Sequence, residues 1–233
     1  MPVVKIQPVI EDNDFFCFLG GRTGQKLSIA MKARVEKWKK RLNAMIDPKI
    51  FYQVDGVQDV STGVVEITEK CRFKSAKLSK TLGDCKEVVC FLATIGERIE
   101  SEISRLFRQN RLADAYVLDA MGSAAVENLV EQFQAGFEED CGTRGKAVTP
   151  RFSPGYCDWP VTEQEKLFEI IDSERIGVEL NDSCLMTPRK SVSGVFGILP
   201  DDAHGDGAYT PCSDCRKTGC PHRRAPNSEE ETL

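Results

Sequence analysis

The chain lacks an excess of positive charge: 31 lysines and arginines stand against 36 aspartates and glutamates, a net charge of -5. No uniform field is available to gather phosphates, so nucleic acid is not an expected partner. Long apolar runs are missing as well. The longest, Val88 to Ala93, is far too short to cross a bilayer, and no membrane association is expected. The start, Met1-Pro2-Val3-Val4-Lys5, offers neither an apolar core nor a small-residue cleavage site, and the expectation is a soluble cytoplasmic protein. No internal repeat and no catalytic triad stand out.

What the chain does have is 233 residues, 41% of them hydrophobic, enough for one well-buried domain with at most a small appendage. Leu27, Met31, Val35, Trp38, Leu42 and Met45 line one side of a helix that ends before Pro48. Ile50 to Val54 and Gly63 to Thr68 read as strands, and Ser75 to Leu82 as a short helix. Val88 to Thr94 is a buried strand that stops at Gly96, before a helix through Ile99, Ile103 and Phe107. A longer helix, Asp114 to Glu138, carries Gly122, Val126, Val130, Phe133 and Phe137 on one stripe. Asp119 falls on that stripe and is expected to be a buried, hydrogen-bonded acid; Glu127 lies at its margin. Ile176 to Leu180 and Ser191 to Ile198 complete the strands. The fold class is α+β, a twisted, mostly antiparallel sheet with packed helices over residues 1–200. Residues 201–233 form a separate appendage: a Gly/Asp loop, a cysteine cluster and an acidic tail.

Between two prolines lies Arg151-Phe152-Ser153-Pro154-Gly155-Tyr156-Cys157-Asp158-Trp159-Pro160. A guanidinium fork suits a carboxylate, a glycine lets backbone donors approach, and a tyrosine can stack and hydrogen-bond. Such a loop fits a small anionic or zwitterionic ligand. By composition alone it fits better still as a structural turn, its arginine paired with a nearby acid and its aromatics in the core.

A second motif changes the balance: Leu180-x-x-Ser183-x-x-Met186-x-Pro188-x-x-Ser191-Val192-Ser193-Gly194. Together the two resemble the activation domain of cobalamin-dependent methionine synthase, in its short stand-alone form. The Ala93-Thr94-Ile95-Gly96 turn and the helix from Asp119 to Glu127 are similar too. The resemblance implies S-adenosylmethionine bound with its carboxylate on Arg151 and its body along Pro154, Gly155 and Tyr156. It places Glu127 where a helical glutamate faces the ligand, which suits a sulfonium cation. Ser193 on the nearby strand and Tyr209, the counterpart of a C-terminal tyrosine in long members, complete the implied ligand set.

The implied role is a methyltransferase component of methionine biosynthesis. It acts in trans, supporting reductive remethylation of oxidised cobalamin on a separate corrinoid-carrying methyltransferase or methionine synthase module. A flavodoxin or ferredoxin-type donor would supply the electron. Cobalt is the nucleophile in that chemistry, so no catalytic side chain is expected, only alignment and electrostatics. The alternative is a non-catalytic adaptor that senses S-adenosylmethionine or binds a metal and docks on a corrinoid protein. Asp202-Ala203-His204-Gly205-Asp206-Gly207 matches the pattern by which cobalamin domains offer a histidine, but only 26 residues follow, and a chance match in a polar loop is the expectation.

Ten cysteines without a leader read as reduced thiols or metal ligands. Cys212-x2-Cys215-x4-Cys220-x-His222 has the spacing of a compact site for zinc or an iron-sulfur cluster, alongside the alternative of surface thiols.

Overall fold

A computed structural model describes residues 3–10, 18–19, 27–68, 71–200, 209–213, 215 and 220. The first apolar periodicity becomes helix α1 (Ile29–Leu42), begun by Ser28, whose Oγ accepts from the Met31 amide at 3.2 Å. There follow β1 (Lys49–Gly56), β2 (Asp59–Ser61), β3 (Val64–Thr68), β4 (Cys71–Lys74), α2 (Ala76–Thr81) and β5 (Glu87–Thr94). Next come α3 (Arg98–Arg108), α4 (Leu112–Gly142), α5 (Gln164–Ile170), β6 (Glu179–Leu180), β7 (Met186–Thr187) and β8 (Ser191–Ile198).

The fold is α+β and its sheets are antiparallel, but the strands divide among three sheets rather than one: β1-β5-β8, β2-β3-β4 and the hairpin β6-β7. β5 explains the layering. Its alternation sends Val89, Phe91 and Ala93 into one core and Val88, Cys90 and Leu92 into another. The first core is shared with α1, α3 and α4; the second with β3, β4, α2 and α5. Each fully buried Phe or Leu contributes about 1.5–3 kcal/mol, so a strand apolar on both faces is a strong organiser. Cys71, Cys85, Cys90, Cys141 and Cys184 are buried among these apolar groups. Burial pushes the Cys71 and Cys85 thiols up to about 12, which makes them inert packing groups.

Two expectations are corrected. Ile176 to Leu180 is not one strand: Ser173–Ile176 is a 3-10 turn, Gly177 adopts φ 68, and only Glu179–Leu180 pairs with β7. The left-handed glycine ends the turn and redirects the chain before any longer ladder can form. Asp119 is exposed rather than buried, and its carboxylate meets Lys190 Nζ at 2.8 Å. The 31-residue α4 keeps this position on the margin of its buried face, beside the lysine rather than under the sheet. His204 and His222 lie outside the described residues. Among those described, no helix is long and apolar enough to cross a membrane.

Candidate ligand-binding site

The Arg151–Tyr156 loop is fastened at three places. At its start, Phe152 pairs with β8: the Phe152 amide donates to Val195 O at 2.8 Å and the Val195 amide to Phe152 O at 2.9 Å. This close approach requires Gly194, since a Cβ there would lie 2.8 Å from Ser153 Oγ and 2.9 Å from Phe152 O. The glycine of the Ser-Val-Ser-Gly motif is thus the seat of the loop. In the middle, Gly155 turns at φ 91 and its amide donates to Trp159 O at 2.8 Å.

At the end of the loop, Asp158 caps α2 from outside the helix. Its carboxylate accepts from Ser75 Oγ (2.7 Å), the Ala76 amide (2.7 Å) and the Lys77 amide (3.2 Å). Trp159 is 1% exposed and packs on Phe73 and Phe152, with ring centroids 5.0 and 5.6 Å away. Its Nε1 has no hydrogen-bond partner among the described residues.

Beside the fastened loop opens a groove of about 280 Å³. It brings together Glu127 from α4, Ser153, Pro154 and Tyr156 from the loop, and Ser193 from β8. Tyr156 lines the groove and is 41% exposed. Ser193 is buried; its hydroxyl donates to Gln164 Oε1 at 2.9 Å, and Gln164 Nε2 donates to Cys184 O at 3.1 Å. That chain stiffens the groove wall.

Arg151 reaches Glu127 Oε2 at 3.3 Å and Gln134 Oε1 at 3.2 Å, with its side chain 10% exposed. The arginine therefore has the nearby acid that the structural reading of the loop expects, and that acid also lines the groove. A ligand carrying both a carboxylate and a cation could divide this pair, each of its charges meeting one member. Lys190 Nζ, also lining the groove, sits between Asp119 and Ser123 Oγ, each at 2.8 Å.

Tyr209 is not among the residues lining the groove; its ring lies under Lys80 Nζ at 5.3 Å. A smaller cavity of about 60 Å³ adjoins, sharing Ser153 and Tyr156 and closed by Arg151, Cys157 and Thr210 to Cys212. Among the described residues no three His, Cys, Asp or Glu side chains are arranged to hold a metal ion. A larger groove of about 520 Å³, around Asp47, Lys49, Glu97 and Arg98, lies across the Met186–Pro188 segment and contains none of the ligand residues read from the sequence. There the Lys49 ammonium, 2.7 Å away, holds Asp47 below the usual carboxylate range.

The sequence motifs do not mark Phe18, Gln164 or Lys190, which also line the groove. Lys190 adjoins the Ser191–Gly194 motif, and that adjacency is the only local signal for it.

The family model for the vitamin B12 dependent methionine synthase activation domain matches residues 86–204, just over half of the chain. The chain belongs to that family. The matched region of this activation domain spans β5 through β8 and so contains the loop, Glu127 and Ser193. Among solved structures, the MetH reactivation domain bound to AdoHcy superposes with a TM-score of 0.62 at 16% identity, covering 88% of this chain and 80% of that one. At that identity the likeness establishes the activation-domain fold. No curated protein sequence matches the chain.

Proposed function

We propose that this activation domain binds S-adenosylmethionine in the groove between α4, β8 and the Arg151–Tyr156 loop. It thereby serves as the reactivation component of a cobalamin-dependent methyltransferase carried on a separate protein. The observation that carries the reading is the Arg151–Glu127 pair beside the groove, which offers a cation to a carboxylate and an anion to a sulfonium. Bound S-adenosylmethionine would supply the methyl group that the partner's reduced cobalt takes. The residues of this chain bind and orient. Arg151, which lines the adjoining small cavity and reaches the groove through Glu127, anchors one end. Pro154 and Tyr156 line the body, Gly155 turns the loop without lining the groove, and Ser193 with Gln164 fixes the wall. A flavodoxin or ferredoxin-type protein is the proposed electron donor, on the family resemblance.

Calorimetric titration with S-adenosylmethionine tests the binding. Arg151→Ala is expected to weaken it by about 1.5–3 kcal/mol, the scale of a charge-assisted hydrogen bond. Unchanged affinity in the folded variant would remove Arg151 as the anchor. Transfer of a labelled methyl group to cobalt on a corrinoid protein separates the reactivation component from a non-catalytic adaptor, which would bind the ligand and leave cobalt unmethylated.

A further inference from the structure

The ligand loop runs directly into Cys157, an exposed residue held in the left-handed backbone region at φ 52. Only a surrounding structure that fixes it keeps a residue with a Cβ there. The loop's own turn holds it there, the Trp159 amide donating to Tyr156 O at 3.0 Å, and the C-terminal segment packs against its side chain. Cys157 Sγ lies 4.0 Å from Pro211 O, and the turn that follows, its Cys215 amide donating to Cys212 O at 3.4 Å, brings the Cys212 and Cys215 thiols beside it. The segment is itself held: Lys77 Nζ donates to Pro211 O at 3.2 Å, and a turn joins the Ser213 amide to Thr210 O at 3.0 Å. Cys157 and Cys212 line the same small cavity, whose remaining walls are the ligand loop and Thr210 and Pro211. Two segments far apart in sequence thus bring thiols together at the back of the proposed binding loop.

We propose that Cys157 and Cys215 form a reversible disulfide that latches the C-terminal segment onto the ligand loop. The oxidant is a low-molecular-weight disulfide. The Cys215 thiolate attacks it and releases one thiol, leaving a mixed disulfide on Cys215. The Cys157 thiolate then attacks the Cys215 sulfur and expels the second small thiol. Two protein thiols are oxidised and one external disulfide is reduced to two thiols, which take up the two protons. Burial and the neighbouring thiols push Cys157 up to about 11, so the ring-closing step accelerates with rising pH across the neutral range. The buried Cys71, Cys85, Cys90, Cys141 and Cys184 are shielded from an external oxidant, which among the described residues leaves Cys157, Cys212, Cys215 and Cys220 accessible, and of these the loop's Cys157 is the one exposed thiol.

The consequence for binding rests on the groove being the S-adenosylmethionine site. A latched loop has less freedom to lose when ligand arrives, so the oxidised form binds more tightly. The test uses the full chain, reduced without oxygen and then exposed to glutathione disulfide at pH 8. Thiol titration and peptide mapping by mass spectrometry are expected to show two thiols lost and a Cys157–Cys215 cross-link. The link should be absent in Cys215→Ser and retained in Cys212→Ser.

Glutathione adducts alone, or a pairing that omits Cys157, would overturn the latch. So would zinc or iron bound to the reduced chain and lost in both Cys157→Ser and Cys215→Ser, which would make these thiols a metal centre. Calorimetry on the two redox forms is expected to give affinity about tenfold higher when oxidised. Equal affinities would refute the regulatory role. A cross-link with no ligand binding in either form would sink the ligand assignment and leave the disulfide standing.

Discussion

Glu127 is the residue whose charge does the most selective work in this reading, because a sulfonium differs from a thioether by one positive charge. Glu127→Gln is expected to weaken S-adenosylmethionine while leaving S-adenosylhomocysteine nearly unchanged, as competition titrations would show. An equal loss for both ligands would mean that the carboxylate acts only by orienting Arg151. Gly194 makes the second residue-scale case. An alanine methyl would meet Ser153 Oγ at 2.8 Å and Phe91 Cζ at 2.9 Å, so either the loop or the aromatic core has to move. Gly194→Ala should lower the stability of the fold by about 1–3 kcal/mol in denaturant titrations and loosen ligand binding with it. Arg151, Glu127 and the glycine are legible in the sequence as residue types. Their mutual arrangement is not, because the partners sit on a helix, a loop and a strand that only the tertiary fold brings together. Asp119 shows the limit of periodicity: the stripe predicts burial, whereas the rotation of α4 and the reach of Lys190 decide otherwise.

Among the elements, α2 depends on a residue outside itself. Ser75 supplies the usual cap, accepting from the Leu78 amide at 3.0 Å, while Asp158 takes the two earlier amides. Asp158→Ala should therefore cost about 1 kcal/mol of stability. It should also speed hydrogen exchange at the Ala76 and Lys77 amides while the interior of β5 stays protected. Unaltered exchange there would show that water replaces the carboxylate without loss. Elements with a long or strictly repeated pattern are readable in advance: α1, α4, β5 and β8 fall where their apolar spacing puts them. The short ones are not. β2, β4 and α5 carry charged residues at one of three, two of four and three of seven positions, and owe their existence to packing against neighbours. β6 and β7 have two residues each, too few for any period to register.

At the scale of the molecule, Asp114 joins α1 to the start of α4 and the turn before it. It accepts from Trp38 Nε1 at 2.9 Å and from Arg111 at 2.8 and 3.0 Å. Burial alone would raise its pKa, but the bonds from Trp38 and Arg111 outweigh it and hold the carboxyl below the usual range. The stabilisation it brings is fully present above the unfolded value of about 3.9 and is lost as pH falls through the lower folded value. Asp114→Asn should thus be less stable than the parent at pH 7, with the gap closing in acid, as followed by circular dichroism during denaturation at a series of pH values. A gap that persists undiminished at low pH would show that packing rather than charge is responsible. The organisation of the whole, two cores divided by one doubly buried strand, was partly visible in the apolar run at Val88, but its partition into three sheets depends on turns such as Gly177 that leave no periodic trace. The central sheet also has two outer strands, and among the described residues Val4 pairs with Ile50 on β1, while residues 147–152 run along the far half of β8, Val148 and Phe152 bridging to Ile198 and Val195. The Arg151–Tyr156 loop is therefore also a guard. A chain whose loop is dislodged exposes the row of amides and carbonyls along β8 to a second molecule, and its failure would be read as concentration-dependent polymerisation before any loss of helix.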